Sequence, residues 1–357
     1  MKVLVVGQGL AGTILAWQLR AQGIDFSLVD PNPTWSASKV AGGLVDPISG
    51  QRYFQAWKSN VVLPVARAFY PEIEALLDVR FFHPKPSIRY FSSEDDRSLW
   101  ASKRHLPNVR AAFPSDPQDY FQAFIRAPHQ GVEVVGSAYL DTVGFLGASR
   151  AFFEAESRVI TATLCYDEVH LKENQVHWQG RIFDQLIFCE GYKASQNPWF
   201  GGLNYNHSKG NMIVVPAQAA PQSHILHVGK WILPIQDAQG KNWLKIGATY
   251  DTHFQDERPE PAQAAAILET LTPWIRQPLQ AAEGLAGIRP IMLDNKPVLG
   301  RHPDYPQLGI FNGLASRGVS LGPYYAAQWA SHLAQGAPFD PDVRVDRYFK
   351  SRSARVH

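Results

Sequence analysis

Lys2-Val3-Leu4-Val5-Val6-Gly7-Gln8-Gly9-Leu10-Ala11-Gly12 decides how this chain is read. A short apolar run rich in β-branched residues predicts a strand, three glycines at G-x-G-x-x-G spacing predict a turn, and Thr13 to Gln22 carries apolar residues at helical spacing. After Gly23, Ile24 to Val29 reads as a second strand ending on Asp30, eighteen positions past Gly12. Strand, turn, helix, strand and terminal acid in register form a dinucleotide-binding fingerprint. Gly7 makes the tight turn, Gly9 lets the backbone approach a pyrophosphate, and Gly12 lets helix and strand pack closely. Leu10 and Ala11 open the helix, whose free amides and positive end suit phosphate oxygens. Asp30 suits a ribose 2′-OH and argues against a 2′-phosphate. Whether the dinucleotide is FAD or NAD stays open at this point.

With 357 residues, 45% hydrophobic and 18% charged, the chain has room for two domains. Its net charge is only +2 and no Lys/Arg run stands out, so a nucleic-acid surface is not expected. The two cysteines, Cys165 and Cys189, sit in apolar runs that read as strands and make no metal or redox spacing, which fits a reducing cytoplasm. The histidines show no His-x-x-x-His spacing, and no metal is expected. No run of about 18 apolar residues predicts a membrane span. Internal repeats are absent.

Outward from the fingerprint, Ser36 to Gly43 is rich in small residues, the pattern of backbone laid close against a flat cofactor, with Ser38 available to a phosphate. Ala56 to Leu77 reads as a helix with a break or kink at Pro64, and Arg80 to His83 with Ser87 to Phe91 as a hairpin joined by Pro84-Lys85-Pro86. Glu133 to Tyr139 and Thr163 to His170 read as strands, Val143 to Arg158 as a helix, and Gln185 to Cys189 as a buried strand. Strands follow at Asn211 to Val215, Ile225 to His227, Trp231 to Ile235 and Trp243 to Thr249, then a helix from Pro261 to Gln277 stopped by Pro278. Leu308 to Phe311, Asn312 to Gly318 and Val319 to Gln335 repeat strand, glycine-containing turn and helix. A helix start there would stabilise the negative charge of a reduced flavin, which nicotinamide does not need. An NAD(P)-dependent dehydrogenase is therefore a distant alternative.

The order of these motifs resembles the D-amino-acid oxidase family of FAD enzymes, and its glycine oxidase-like members in particular. The matching pieces are the fingerprint ending in Asp30, Ala41-Gly42-Gly43, Leu186 to Gly191, Trp231-Ile232-Leu233-Pro234, Ile246 to Thr249, Gly287-Ile288-Arg289-Pro290, Asp294 to Pro303, and the closing turn and helix. The resemblance implies an α/β fold: a Rossmann-like, glutathione-reductase-type FAD-binding domain (1–78, 131–203 and 284–357) and a mixed β-sheet substrate domain (79–130 and 204–283). It implies non-covalent FAD, since no cysteine follows Cys189, held by Gly7, Gly9, Leu10, Ala11, Gly12, Asp30, Ser38, Ala41, Gly42, Gly43, Val169, Gly191, Arg317, Gly318, Val319 and Ser320. It also implies oxidation of a small amino acid or N-substituted amino acid by hydride transfer to the flavin, with oxygen or another electron acceptor. Arg289 would grip the substrate carboxylate through a planar bidentate fork, and Trp231 and Tyr250 would line the pocket. Trp231 stands where the resembled pattern has a tyrosine, which leaves room for a larger substrate than glycine. Ser316-Arg317-Gly318 is also similar to the FAD domain of a tRNA wobble-uridine modification enzyme, so a tRNA-acting oxidase is a second expectation and a catalytically silent FAD-binding protein a third.

Overall fold

The computed structural model describes residues 1–50, 52–217, 220–237 and 239–353; the last four residues of the expected segment 284–357 lie outside them. One sheet has six strands in the order Val159–Ile160, Asp25–Val29, Lys2–Val6, Gln185–Phe188, Leu308–Asn312 and Val298–Arg301. All neighbours are parallel except the last pair. Parallel strands are buried on both faces, which explains why Val3 to Val5 and Leu186 to Phe188 are apolar without alternation. The fingerprint helix, Leu10–Ala21, and the closing helix, Gly318–Gln335, pack together on one face. A three-stranded meander over His170–Lys172, Gln175–Trp178 and Arg181–Phe183 covers part of the other.

The second sheet has seven strands in the order Glu283–Arg289, Ser208–Pro216, Asn242–Gly247, Trp231–Gln236, Ile225–His227, Ser87–Tyr90 and Gly131–Val134. It is mixed, with one parallel pair between Ile225–His227 and Ser87–Tyr90. Alternation gives it two faces. Ile213, Val215 and Ile246 pack on one side with the helix Pro261–Leu271, while Met212 and Leu285 on the other meet Val40 of the short helix Ala37–Val40. Strands Gly131–Val134 and Glu283–Arg289 hydrogen-bond into this sheet, so the expected boundaries at 131 and 284 cut through it.

Several local expectations are corrected. Phe82–Pro84 and Ser87–Tyr90 do not form a hairpin: Phe82–Pro84 pairs with Ala138–Leu140 and Ser87–Tyr90 with the seven-stranded sheet. Pro84 and Pro86 lack the amides a two-strand ladder needs, and Lys85 N donates to Ser137 O instead. Gly136, at φ +82°, splits the expected strand Glu133 to Tyr139 into Gly131–Val134 and Ala138–Leu140. Thr163 to His170 holds a 3₁₀ turn, Tyr166–Glu168, which leaves Cys165 exposed. The helix Ser59–Leu77 runs through Pro64 without a break. The helix from Pro261 stops at Leu271, because Thr272 precedes Pro273, not Pro278.

Candidate functional site

Two helix starts meet at the carboxyl edge of the parallel sheet. A Cβ on Gly318 would stand 3.2 Å from Leu10 Cδ1, so the fingerprint helix and the closing helix begin side by side. A Cβ on Gly12 would overlap the Gly7 carbonyl oxygen, and Gly7 itself sits at φ +96°; no other residue lets this helix lie so close to its strand. Thr13 N is the first amide of the fingerprint helix to bond back, to Gly9 O at 3.0 Å. Leu10 N donates to Ser38 Oγ at 3.0 Å, leaving the Ala11 and Gly12 amides at the helix's positive end. A Cβ on Gly9 would come 2.9 Å from Ser38 Oγ. Ser38 therefore caps the helix from the covering segment.

Asp30 braces this turn. Its Oδ2 accepts from Gln8 N at 2.8 Å and its Oδ1 from Asn32 N at 2.7 Å. The buried Arg150 lies 3.8 Å from Asp30 Oδ1 and donates to Gln8 Oε1 at 2.7 Å. Nothing local in the sequence marks Arg150, which arrives from the helix Thr142–Ala155. Val169 is buried behind the strand that ends at Asp30, in a cluster with Val29 and Val6. Gly191, at φ +61°, follows the neighbouring strand, and a Cβ on it would meet nothing within 4 Å. Beside it, Cys189 is buried and its thiol is pushed well up by burial, which keeps it protonated.

At the other helix, Arg317 precedes Gly318, donates Nη2 to Asn295 O at 3.2 Å and lies 5.7 Å from the Trp57 ring. Ser320 Oγ donates to Arg317 O, and Val319 O accepts from Tyr70 OH at 2.9 Å. The Gly318 to Ser320 amides open the helix, where intrahelical acceptors run out. Cradle and charge agree with a dinucleotide that has an electron-rich ring: glycine clearances leave room for backbone contact, and two positive helix ends converge.

The second sheet presents side chains to this cradle. Arg289 lies across Gly210, where a Cβ would collide with its guanidinium, and donates both Nη atoms to Thr249 O at 3.2 and 3.3 Å. Among the described residues no carboxylate comes within 4.0 Å of it. Partial burial lowers its pKa, so an anion there would compensate a partly desolvated charge. Trp231 pairs in register with Gly247, and a Cβ on Gly42 would stand 2.8 Å from the indole. Trp231 thus spans the gap between second sheet and covering segment. Gly43, at φ +68°, turns that segment, and a Cβ on it would overlap Leu140 O. Tyr250 is 61% exposed and stands at the rim, 5.7 Å from Arg289 across its ring.

Further residues escape the sequence reading. Lys245 Nζ donates to Ala41 O at 2.8 Å. Arg89 donates to Asp46 Oδ2 at 2.7 Å, Ile48 O at 2.8 Å and Gly50 O at 2.9 Å, and His227 Nε2 lies 3.5 Å from Asp46. Together they tie residues 41–50 to the second sheet. Gly210 and Gly247, glycines inside strands, were the readable signal that bulky side chains cross there. Among the described residues no group of His, Cys, Asp and Glu is placed to hold a metal ion, and no helix is long and apolar enough to cross a membrane.

Comparison with known proteins agrees with this geometry. The chain is 24% identical to a glycine oxidase of Pseudomonas aeruginosa, over 90% of this chain and 92% of that one. Its fold matches glycine oxidase from Geobacillus kaustophilus (TM-score 0.76, 18% identity, 94% of this chain and 95% of that one). It also matches iminodiacetate oxidase from Chelativorans sp. BNC1 (TM-score 0.73, 18% identity, 97% and 98%). A sequence model of the FAD-dependent oxidoreductases of the D-amino-acid oxidase (DAO) type covers residues 2–333, and the chain belongs to that family.

Proposed function

We propose that this FAD-dependent oxidoreductase oxidises the C–N bond of a small amino acid or N-substituted amino acid whose carboxylate is held by Arg289. The observation that carries the reading is a part-buried guanidinium with no carboxylate partner among the described residues, laid over a bare Gly210 on the face that meets the cradle. The names of the relatives, glycine oxidase and iminodiacetate oxidase, support the same substrate class.

FAD, when bound, supplies the hydride acceptor for the carbon that bears the nitrogen. The diphosphate falls to the Ala11 and Gly12 amides with Ser38, and the adenosine ribose to Asp30. Ala41, Gly42, Gly43, Gly191, Arg317, Gly318, Val319 and Ser320 remain for the rest, with Val169 behind the adenosine. The chain's own task is to orient the amine and keep water out. Arg289 fixes the carboxylate end through two parallel donors, since its Thr249 contacts are long and exchangeable for a charged acceptor. The Trp231 indole closes the side next to Gly42, and Tyr250 stands at the opening. The imine product leaves and hydrolyses in water, and oxygen or another acceptor takes the electrons.

The test is anaerobic bleaching of the yellow protein by glycine, sarcosine, iminodiacetate, D-amino acids and proline. Bleaching by members of this panel, with loss of carboxylate dependence in Arg289→Ala, is expected. A protein bleached by none of them, or equally by amines without a carboxylate, would overturn the reading. Release of the colour into the supernatant on acid precipitation tests the non-covalent attachment.

A further inference from the structure

The start of the strand Ser208–Pro216 carries different residues on its two faces. Ser208 pairs with Arg289, and Gly210 lies beneath the Arg289 guanidinium on the side that meets the cradle. Alternation turns Lys209 and Asn211 the other way, with Ile213, onto the face covered by the helix Pro261–Leu271. Lys209 is only 1% exposed, and its ammonium donates to Glu260 Oε1 at 2.6 Å and to Asp256 Oδ1 at 3.3 Å. Its backbone exchanges two hydrogen bonds with Asp251, at 2.8 and 2.9 Å. The buried Asn211 accepts from Glu260 N at 3.0 Å. Segment 251–260 is thus fastened at both ends to the back of the strand that pairs with Arg289.

From between those fastenings Glu257 reaches across to the cofactor side, where its Oε1 accepts from the Tyr192 hydroxyl. Tyr192 follows Gly191 in the turn beyond the parallel strand Gln185–Phe188. Asn312 Nδ2, at the end of the neighbouring strand, donates to Gly191 O at 2.8 Å and fixes that turn. The Tyr192 ring stands perpendicular to the His207 ring with centroids 6.2 Å apart, and His207 Nδ1 accepts from Ile291 N at 3.3 Å. Ile291 lies two residues beyond Arg289. A chain of contacts therefore runs from the cofactor turn at Gly191, through Tyr192 and Glu257, to Lys209 behind the guanidinium of Arg289.

We infer that Tyr192, Glu257 and Lys209 form a clamp between the two sheets and are positioning residues, which fix Arg289 relative to the cofactor cradle. Hydride transfer needs the reacting atoms within about 3.5 Å of each other, and a misplacement of about 1 Å costs about 100-fold in rate. Arg289 ends an edge strand, so one side of it has no neighbouring strand to hold it. The clamp supplies that hold from behind. A hydroxyl donating to a carboxylate makes one of the stronger kinds of hydrogen bond, and the buried ammonium keeps the carboxylate's segment in place. This role rests on the proposed oxidation with Arg289 as substrate anchor, whereas the bond between the sheets can be measured without it.

Stopped-flow reduction of the flavin-bound protein without oxygen, by the panel amine that bleaches it fastest, separates binding from chemistry. Tyr192→Phe and Glu257→Ala should each lower the reduction rate at saturating substrate about tenfold, with the substrate dissociation constant within about twofold and FAD content full. The double variant should be no slower than either alone, since both remove the same bond. Glu257→Gln keeps an acceptor for the hydroxyl and should run within about threefold of the wild type. Lys209→Met leaves only solvent-exposed carboxylates behind and should slow reduction as much as Glu257→Ala. Amide hydrogen exchange reads the clamp whichever amine is oxidised: Tyr192→Phe should speed exchange in both 190–196 and 251–260. The inference is overturned by a wild-type reduction rate in Tyr192→Phe, Glu257→Ala or Lys209→Met, by losses that multiply in the double variant, by a loss confined to the dissociation constant, or by unchanged exchange in both segments. Failure of every panel member to bleach the wild type overturns the proposed oxidation instead, and hydrogen exchange still decides the clamp.

Discussion

The cofactor cradle and the face of the second sheet opposite it are built in different ways. The cradle is mostly backbone, with glycines that clear space and helix ends that supply amides. The opposing face is side chain, with Arg289, Trp231 and Lys245 projecting from strands that are bare at Gly210 and Gly247. A backbone site tolerates no added atom, whereas a side-chain site tolerates exchange and changes what it binds. Substitutions should separate the two.

The largest effect belongs to the cradle. Gly12→Val places a branched side chain where the Gly7 carbonyl stands, and the purified protein should be colourless or unfolded, read from flavin absorbance per protein and from circular dichroism. Next is Arg289→Ala, which should raise the substrate KM about 100-fold while FAD content stays at wild-type level, because losing one partner of a buried charged contact costs about 3 kcal/mol. Retained KM with lost flavin would erase the distinction between the regions. Asp30→Asn removes a charge but keeps one acceptor, so FAD should bind about tenfold more weakly in a titration of the apoprotein. Trp231→Tyr puts a hydroxyl on the same sheet face as Arg289 and should lower the KM for glycine about threefold, with FAD affinity unmoved.

A pH-dependent effect probes the seam between the regions. Burial first and Arg89 second hold the His227 pKa down to about 4, against the pull of Asp46. The unfolded chain takes up that proton near pH 6.5. The folded state therefore keeps its full stability above about 6.5 and loses up to about 3 kcal/mol as pH falls from there towards 4. In His227→Gln, the melting temperature should fall less steeply across that window than in the wild type.

The same contrast explains what could be read in advance. Gly7, Gly9, Gly12 and Asp30 announce a nucleotide turn because their roles are set within thirty residues of chain. Gly318 was equally legible from the strand, turn and helix around it. Arg289 was reachable only through likeness to known enzymes, since no local pattern says that a strand at 283–289 will pair with one at 208–216. Lys245 and Arg150 left no trace, because each finds its partner across more than a hundred residues. The broken strands at Gly136 and around Tyr166 were missed for a related reason: their apolar residues serve different layers, and periodicity along the chain cannot say which.

The touching of Leu10 and Gly318 bears on how the molecule is made. Leu10 and Gly318 must both have left the ribosome before the nucleotide can be gripped from two sides. Such long loop closure is slow relative to local pairing. A growing polypeptide would thus carry a finished glycine turn long before the second helix start exists and gain colour only after Gly318 has emerged, and the supply of free flavin would act on a late folding step and not the first.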